Sequence, residues 1–127
     1  SQNSGIIFGG NTSPAMSKLT ETYDGTSWTE VNDMNTARNY FGGGGTQNAG
    51  VAFGGDTGPS PTSFACTEEW NGTSWSVANV LPTGVRNLDG AGSQASAIAF
   101  GGYDSEVANQ SYEYSVSHLK TVEIDGV

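Results

Sequence analysis

The chain has 127 residues, enough for one domain, and its 13 acidic residues outweigh four basic ones to give a net charge of −9. A surface this acidic repels phosphate backbones and anionic lipids, which disfavours nucleic acid and membrane partners and favours an extracellular or particle-surface setting. Nineteen glycines and only 13% charged residues disfavour a helical protein, while aromatic residues at 10% disfavour a disordered one. No apolar run approaches the roughly 18 residues of a membrane span. The composition therefore predicts an all-β domain of short strands and tight turns.

An internal repeat of 45 to 47 residues runs through the chain. An apolar segment that ends in a double glycine occurs three times, at 5–10, 50–55 and 97–102. Trp28 and Trp75 lie 47 residues apart and so occupy the same position in two successive copies of the repeat. The chain is predicted to begin partway through a repeat and to form a single array over 1–127, with units at about 1–35, 36–82 and 83–127.

Each unit is predicted to hold four strands, and the first unit to lack its innermost one. The inner strand, as in 39–46, is rich in glycines, which allow neighbouring backbones to crowd together near an axis. A turn at Gln47-Asn48 leads to the apolar strand that carries the double glycine, and a loop of variable sequence follows it.

The last two strands of each unit carry a pair of aromatic residues on either side of a turn. Two-residue hairpin turns are predicted at Asp24-Gly25 and Asn71-Gly72, because Asp or Asn before Gly accepts the positive φ angles of a tight hairpin. The aromatic pair is expected to pack one unit against the next.

Four strands in 45 to 47 residues is the period of a β-propeller blade. The chain resembles the kelch repeat family, whose marks are a double glycine after an apolar strand, then an aromatic residue, then a Trp shortly after a turn. These marks are Gly9, Gly10, Tyr23 and Trp28 in the first unit, Gly54, Gly55, Trp70 and Trp75 in the second, and Gly101, Gly102 and Tyr114 in the third. Leu119 stands where the third unit would have its Trp, and such a departure is typical of a terminal unit.

The resemblance implies a β-propeller of four-stranded kelch-like blades, about three per chain, with the first one incomplete. Propellers usually close with 4 to 8 blades, so either the chain is part of a longer propeller or several chains complete one ring. We favour association into a homo-oligomer, with a dimer of about six blades as the simplest case.

The sequence offers little chemistry for catalysis or for metal binding. His118 is the single histidine and aligns with small polar positions beside the hairpin turns, so we expect it to be solvated. Cys66 aligns with a strand position and is expected to be a small buried hydrophobe. Some kelch relatives are copper oxidases, but they use several His and Tyr ligands, which this chain lacks. We therefore predict no catalytic residue, no metal site and no cofactor.

A second enzyme resemblance is rejected on spacing. The segment 22–30 is similar to the Asp-box of sialidase propellers, but that motif has a residue between its Asp and Gly, whereas Asp24 and Gly25 are adjacent. Glu68 and Glu69 are the one pair of adjacent carboxylates in a predicted strand. Neighbouring strand residues point to opposite faces, so the two are not expected to act on one substrate.

The loop after each double glycine differs every time, and a fixed scaffold with variable loops is typical of a binding surface. In kelch propellers this loop shares the ligand-binding face with the loop before the inner strand, which corresponds here to Arg38-Asn39 and Arg86-Asn87. The resulting candidate site residues are Asn11, Ser13, Arg38, Asn39, Asp56, Arg86, Asn87, Tyr103, Asp104 and Glu106. The alternative is that these loops are unconstrained surface.

Glu21 and Glu68 are taken to recur at one repeat position, and Arg38 and Arg86 at another. Recurrence favours structural charge pairing between units, and the functional alternative is a ring of Arg that meets anionic ligands. The sequence thus predicts a non-catalytic module that binds a glycan or a protein through its variable loops. The alternatives are a structural unit that assembles into a larger particle and a fragment of a propeller enzyme.

Overall fold

Three antiparallel β-sheets follow one another along the chain. The computed structural model describes residues 2–58, 63–104 and 110–115, and the backbone of 118–123. Sheet 1 contains β1 (Gly5–Phe8), β2 (Thr20–Tyr23) and β3 (Trp28–Val31). Sheet 2 contains β4 (Gly42–Thr46), β5 (Ala49–Phe53), β6 (Thr67–Trp70) and β7 (Trp75–Val77). Sheet 3 contains β8 (Asp89–Ser93), β9 (Ser96–Phe100), β10 (Gln110–Ser115) and β11 (His118–Glu123).

Each sheet is a meander in which every strand pairs with the strand that follows it in sequence. Sheet 1 has three strands, whereas sheets 2 and 3 have four each. The described residues contain no helix, which confirms the all-β prediction. None of them forms a helix that is long and apolar enough to cross a membrane.

The turns agree only in part with the predicted ones. Thr46 pairs with Ala49, so Gln47-Asn48 is the expected two-residue turn. Tyr23, however, pairs with Trp28, which leaves a four-residue loop where a two-residue turn was predicted.

The Asp24 side chain explains this longer loop. Its Oδ1 accepts hydrogen bonds from the backbone N–H groups of Thr26 (2.8 Å) and Ser27 (2.9 Å). Asn71 Oδ1 accepts the two corresponding bonds after β6, both at 2.9 Å. The prediction of two-residue turns at both sites is therefore wrong, because a side-chain acceptor organises a wider loop.

The glycine-rich inner strands β4 and β8 lie against each other, as their composition predicts. A Cβ atom on Gly42 would lie 2.9 Å from the backbone carbon of Asp89, and one on Gly44 would lie 3.0 Å from the carbonyl oxygen of Gly92. Both distances are too short for a side chain, so glycine is required by close backbone approach.

An aromatic and aliphatic core joins sheet 1 to sheet 2. Trp70 and Trp75 are buried there, and the ring of Trp75 contacts Phe8 of sheet 1 at 4.8 Å between centroids. Trp75 Nε1 also donates a 2.9 Å hydrogen bond to Thr20 Oγ1 across the same boundary. The predicted packing of an aromatic pair against the neighbouring unit is confirmed at this junction.

A second core joins sheet 2 to sheet 3. Phe53 packs edge-on against Tyr114 with 5.3 Å between ring centroids, and both residues are buried. The Tyr114 hydroxyl donates a hydrogen bond to Glu69 across this junction, and burial together with that bond raises the pKa of Tyr114. Glu68 is directed towards the opposite junction, as the alternation along β6 predicts.

Candidate functional site

Arg38 and Arg86 do not occupy the same position of the repeat. Asn39 forms an isolated β-bridge with Asp56, and 47 residues further on Arg86 forms the corresponding bridge with Tyr103. Arg86 therefore occupies the repeat position of Asn39. The prediction that Arg86 and Arg38 share one repeat position is wrong, because the two positions differ by one residue.

Arg38 is fully buried at the junction of sheets 1 and 2. Its Nη2 lies 2.7 Å from Oε2 of Glu68, which is also fully buried, and its Nη1 donates to the carbonyl groups of Gly54 (3.0 Å) and Cys66 (2.8 Å). Burial lowers the pKa of Arg38, and the charge of Glu68 opposes that shift. Structural charge pairing is thus confirmed for these two residues, although both belong to the second predicted unit and not to neighbouring units as expected. Arg38 is corrected from a ligand contact to a part of the core.

Glu68 also fixes the segment that links the two sheets. Its Oε1 accepts hydrogen bonds from the Asn35 backbone N–H (2.7 Å) and from Asn35 Nδ2 (2.9 Å), and its Oε2 accepts one from the Thr36 N–H (3.3 Å). At the next junction, Val85 corresponds to Arg38 and Tyr112 corresponds to Glu68, and both are buried in the apolar core. The same two positions are therefore ionic at one junction and apolar at the other.

Arg86 remains near the surface, where it joins two of the variable loops. Its Nη1 lies 3.6 Å from Oδ2 of Asp56, and its guanidinium carbon lies 5.2 Å from the centroid of the Tyr103 ring. The Ser63 hydroxyl donates to the carbonyl oxygens of Tyr103 (3.2 Å) and Asp104 (3.3 Å). The loops after the second and third double glycines are thus tied together through these residues.

Tyr40 and Asn87 complete this surface through their backbones. Both residues have positive φ angles, 52° and 55°, which are uncommon for residues other than glycine. The Asn87 N–H donates a 2.7 Å hydrogen bond to the Tyr40 carbonyl, and the Tyr40 side chain is 58% exposed. We name this surface the loop face. Its residues are Tyr40, Ser63, Arg86, Asn87, Tyr103 and Asp104, and the buried Asp56 lies beneath them as the partner of Arg86.

The double glycines allow these loops to approach one another. A Cβ atom on Gly55 would lie 2.5 Å from the carbonyl oxygen of Asn39, and Gly55 has a φ of 98°. Asn39 pairs with Asp56 through its backbone, but its side chain is buried and its Oδ1 has no hydrogen-bond partner among the described residues. Asn39 therefore supports the loop face without being part of its exposed area.

The loop of Asn11 and Ser13 follows the first double glycine. Asn11 Oδ1 accepts a 2.7 Å hydrogen bond from the Ser13 N–H, so these two predicted site residues contact each other. A cavity of about 320 Å³ lies between this loop and the loop after β5, and it is lined by Pro14, Ala15, Met16, Ala37, Thr57 and Gly58. Glu106, the remaining predicted residue, lies outside the described residues.

Sequence reasoning missed Tyr40 and Ser63 as parts of this surface. Aligning 34–47 with 81–94 residue by residue pairs Tyr40 with Asn87, which was predicted to be a site residue. Nothing in the sequence indicates Ser63, because its role depends on a contact between two loops 40 residues apart.

The described residues hold no group of three or more His, Cys, Asp and Glu side chains that could bind a metal ion. Cys66 is half-buried, and the side chain of His118 lies outside the described part of the chain. Comparison with models of protein families and with curated proteins found no match for this chain.

Proposed function

We propose that the three sheets are consecutive blades of a kelch-like β-propeller, and that the loop face is a non-catalytic recognition surface for a glycan. Three repeated features support the propeller: successive sheets pack face to face, glycine-rich inner strands lie together, and a Gln reaches back to the preceding sheet at each junction. Gln47 Nε2 donates to the Tyr23 carbonyl at 2.9 Å, and Gln94 Nε2 donates to the Trp70 carbonyl at 2.7 Å.

The observation that carries the recognition proposal is the arrangement of Tyr103, Arg86 and Asp56 beside the exposed Tyr40. The two tyrosines offer flat, amphipathic rings that can pack on the apolar face of a sugar. Polar groups of neighbouring loops surround them and can bond to sugar hydroxyls. The ion pair and the ring contact hold Arg86 in place before any ligand arrives, which reduces the entropy lost on binding.

The charge of the loop face favours an uncharged sugar. Asp56 and Asp104 outnumber Arg86, and Asp56 already engages that arginine. With a net charge of −9 on the chain, sialylated or sulfated glycans would be repelled.

Binding to an array of neutral and anionic glycans tests this proposal. Tyr103→Ala is expected to weaken binding of a neutral glycan about tenfold, as for an aromatic anchor, while Val77→Ala on the outer strand leaves it unchanged. Arg86→Lys keeps the charge but loses the flat contact with Tyr103, so it should weaken binding less than Tyr103→Ala. An array without a neutral glycan ligand contradicts the proposal, and capture of a protein ligand that depends on Tyr103 would assign the loop face to protein recognition instead.

A structural role is the second candidate, and the apolar residues exposed on sheets 1 and 3 favour it. Under this alternative, the chain serves as a building block of a larger particle. Tyr103→Ala would then leave assembly and the biological role intact, whereas a recognition module would assemble but bind its ligand more weakly.

A further inference from the structure

Large apolar side chains are exposed on the two outward faces of the sheet stack. The sheet-1 end face carries the exposed Ile7, Leu19 and Trp28 beside a half-buried Tyr23, and the sheet-3 end face carries the exposed Ile98 and Phe100 beside the charged Glu113. Each face also contains a cavity, of about 240 Å³ beside Ile7 and Leu19 and of about 430 Å³ beside Ile98 and Glu113. Contiguous apolar surface of this kind usually marks a protein interface.

The same repeat positions are buried wherever the chain itself supplies a neighbouring sheet. Trp75 is 6% exposed against sheet 1, whereas the corresponding Trp28 is 48% exposed. Phe53 is fully buried against sheet 3, whereas the corresponding Phe100 is 38% exposed. The two end faces are therefore the two halves of a junction that the chain already builds twice within itself.

The sheet-1 end face is complementary to the sheet-3 end face, and neither end face is complementary to a second copy of itself. At the first junction, Phe8 contacts Trp75, and the corresponding residues across an end-to-end junction are Phe100 and Trp28. Aromatic rings in such edge contacts add to the stabilisation that burial alone provides.

The second junction supplies two further pairs of the same kind. Tyr114 contacts Phe53 and donates a hydrogen bond to Glu69. Tyr23 occupies the position of Tyr114 in its sheet, and Phe100 and Glu113 occupy those of Phe53 and Glu69. Across an end-to-end junction, Tyr23 would therefore contact Phe100 and donate its hydroxyl to Glu113.

We propose that a second copy of this chain docks head to tail, with the sheet-3 end face of each protomer on the sheet-1 end face of its partner. The junction is heterologous, because two different faces meet, and a pair of chains closes when both junctions form around a two-fold axis. A second copy is the expected partner because it presents the other half of the junction. The corresponding half already packs at the equivalent position between the sheets of a single chain. This inference does not depend on the glycan proposal, since it uses none of the loop-face residues.

Glu21 opposes this docking. It lies on the sheet-1 end face at the position of the buried Glu68, and no described residue corresponds there to Arg38. Burying this carboxylate without a cation weakens the junction. Glu21→Tyr introduces the side chain that Tyr112 supplies at the second junction, so it is expected to tighten pairing at least tenfold.

The experiment is the mass of the purified chain and of its end-face variants, measured by sedimentation equilibrium. The wild type is expected to give twice the chain mass. Trp28→Glu alters the sheet-1 end face and Phe100→Glu alters the sheet-3 end face. Each junction of a pair uses one face of each kind, so both junctions are weakened in either variant and each variant alone is expected to be monomeric. Val77→Glu alters an apolar residue outside the end faces that is even more exposed than Trp28 or Phe100, and it is expected to remain paired. Circular dichroism checks that the variants stay folded.

Mixing the two monomeric variants distinguishes head-to-tail docking from pairing of identical faces. Trp28→Glu retains an intact sheet-3 end face, and Phe100→Glu retains an intact sheet-1 end face. Their mixture is therefore expected to form a 1:1 species through one junction, at roughly a hundred times the concentration needed by the wild type, because the second junction no longer assists. A monomeric wild type, or a Trp28→Glu chain that stays paired alone, overturns the proposal.

Discussion

Exchange of the buried ion pair for its apolar counterpart is the sharpest test of how the repeats pack. Arg38→Val and Glu68→Tyr introduce the residues that the second junction carries at the same positions. We expect each single substitution to be strongly destabilising and the double substitution to recover most of the loss. Val85 and Tyr112 already occupy these two positions at the second junction, where both pack in an apolar core.

The magnitude follows from the burial of both partners. Glu68 and Arg38 are completely inaccessible, and their 2.7 Å contact leaves either charge without a counterion when the other is removed. Loss of one partner of such a pair costs about 3–5 kcal/mol, whereas apolar replacement of the whole pair is often close to neutral.

The double substitution retains two costs. The carbonyl groups of Gly54 and Cys66 lose the hydrogen bonds that Arg38 Nη1 donates to them. Three hydrogen bonds from Asn35 and Thr36 lose their acceptor, but both residues are accessible enough for water to replace part of that bonding. We therefore expect the double variant to lose about 1–3 kcal/mol, so the coupling energy should exceed about 3 kcal/mol.

Guanidinium denaturation followed by tryptophan fluorescence measures the four free energies of unfolding. Lys18→Ala is the control, because the 3.6 Å pair of Lys18 with Asp33 is exposed and should contribute less than about 1 kcal/mol. Single substitutions that each cost less than about 1 kcal/mol, or losses that simply add in the double variant, would refute the reasoning.

Two further predictions concern the inner strands and the turns. Gly42→Ala brings a Cβ atom to 2.9 Å from a neighbouring backbone and should lower the denaturation midpoint, while Gly50→Ala makes only an ordinary 3.5 Å contact and should lower it much less. Hydrogen bonds from the N–H groups of Ser27 and Thr26 lower the pKa of Asp24, so its turn should be fully stabilised above the ordinary carboxyl pKa and weaken as pH falls through the lowered value. Asp24→Asn should keep the turn and remove this pH dependence, as Asn71 does naturally, whereas Asp24→Ala should lose both; an NMR titration of Asp24 without a lowered pKa would contradict this account.

Several elements of the fold follow from local sequence. The double glycines, the glycine-rich strands and the paired aromatics predict the all-β class and the strand order within a unit. These features are local, because alternation, turn residues and backbone freedom depend on near neighbours in the chain. The turn at Asp24 was predicted too short, since the dipeptide does not reveal that the side chain will cap two N–H groups.

The candidate site depended much more on tertiary structure. Arg38 and Arg86 look equivalent by residue type, yet one residue of offset buries the first in the core and leaves the second on the loop face. Both arginines lie in the segments before the glycine-rich strands, where no strand periodicity fixes their direction, so only the packed sheets decide which residue faces the carboxylate of Glu68. The sequence by itself thus determined the repeating unit, whereas the contacts between units decided which charged residues hold the fold together and which remain exposed to a ligand.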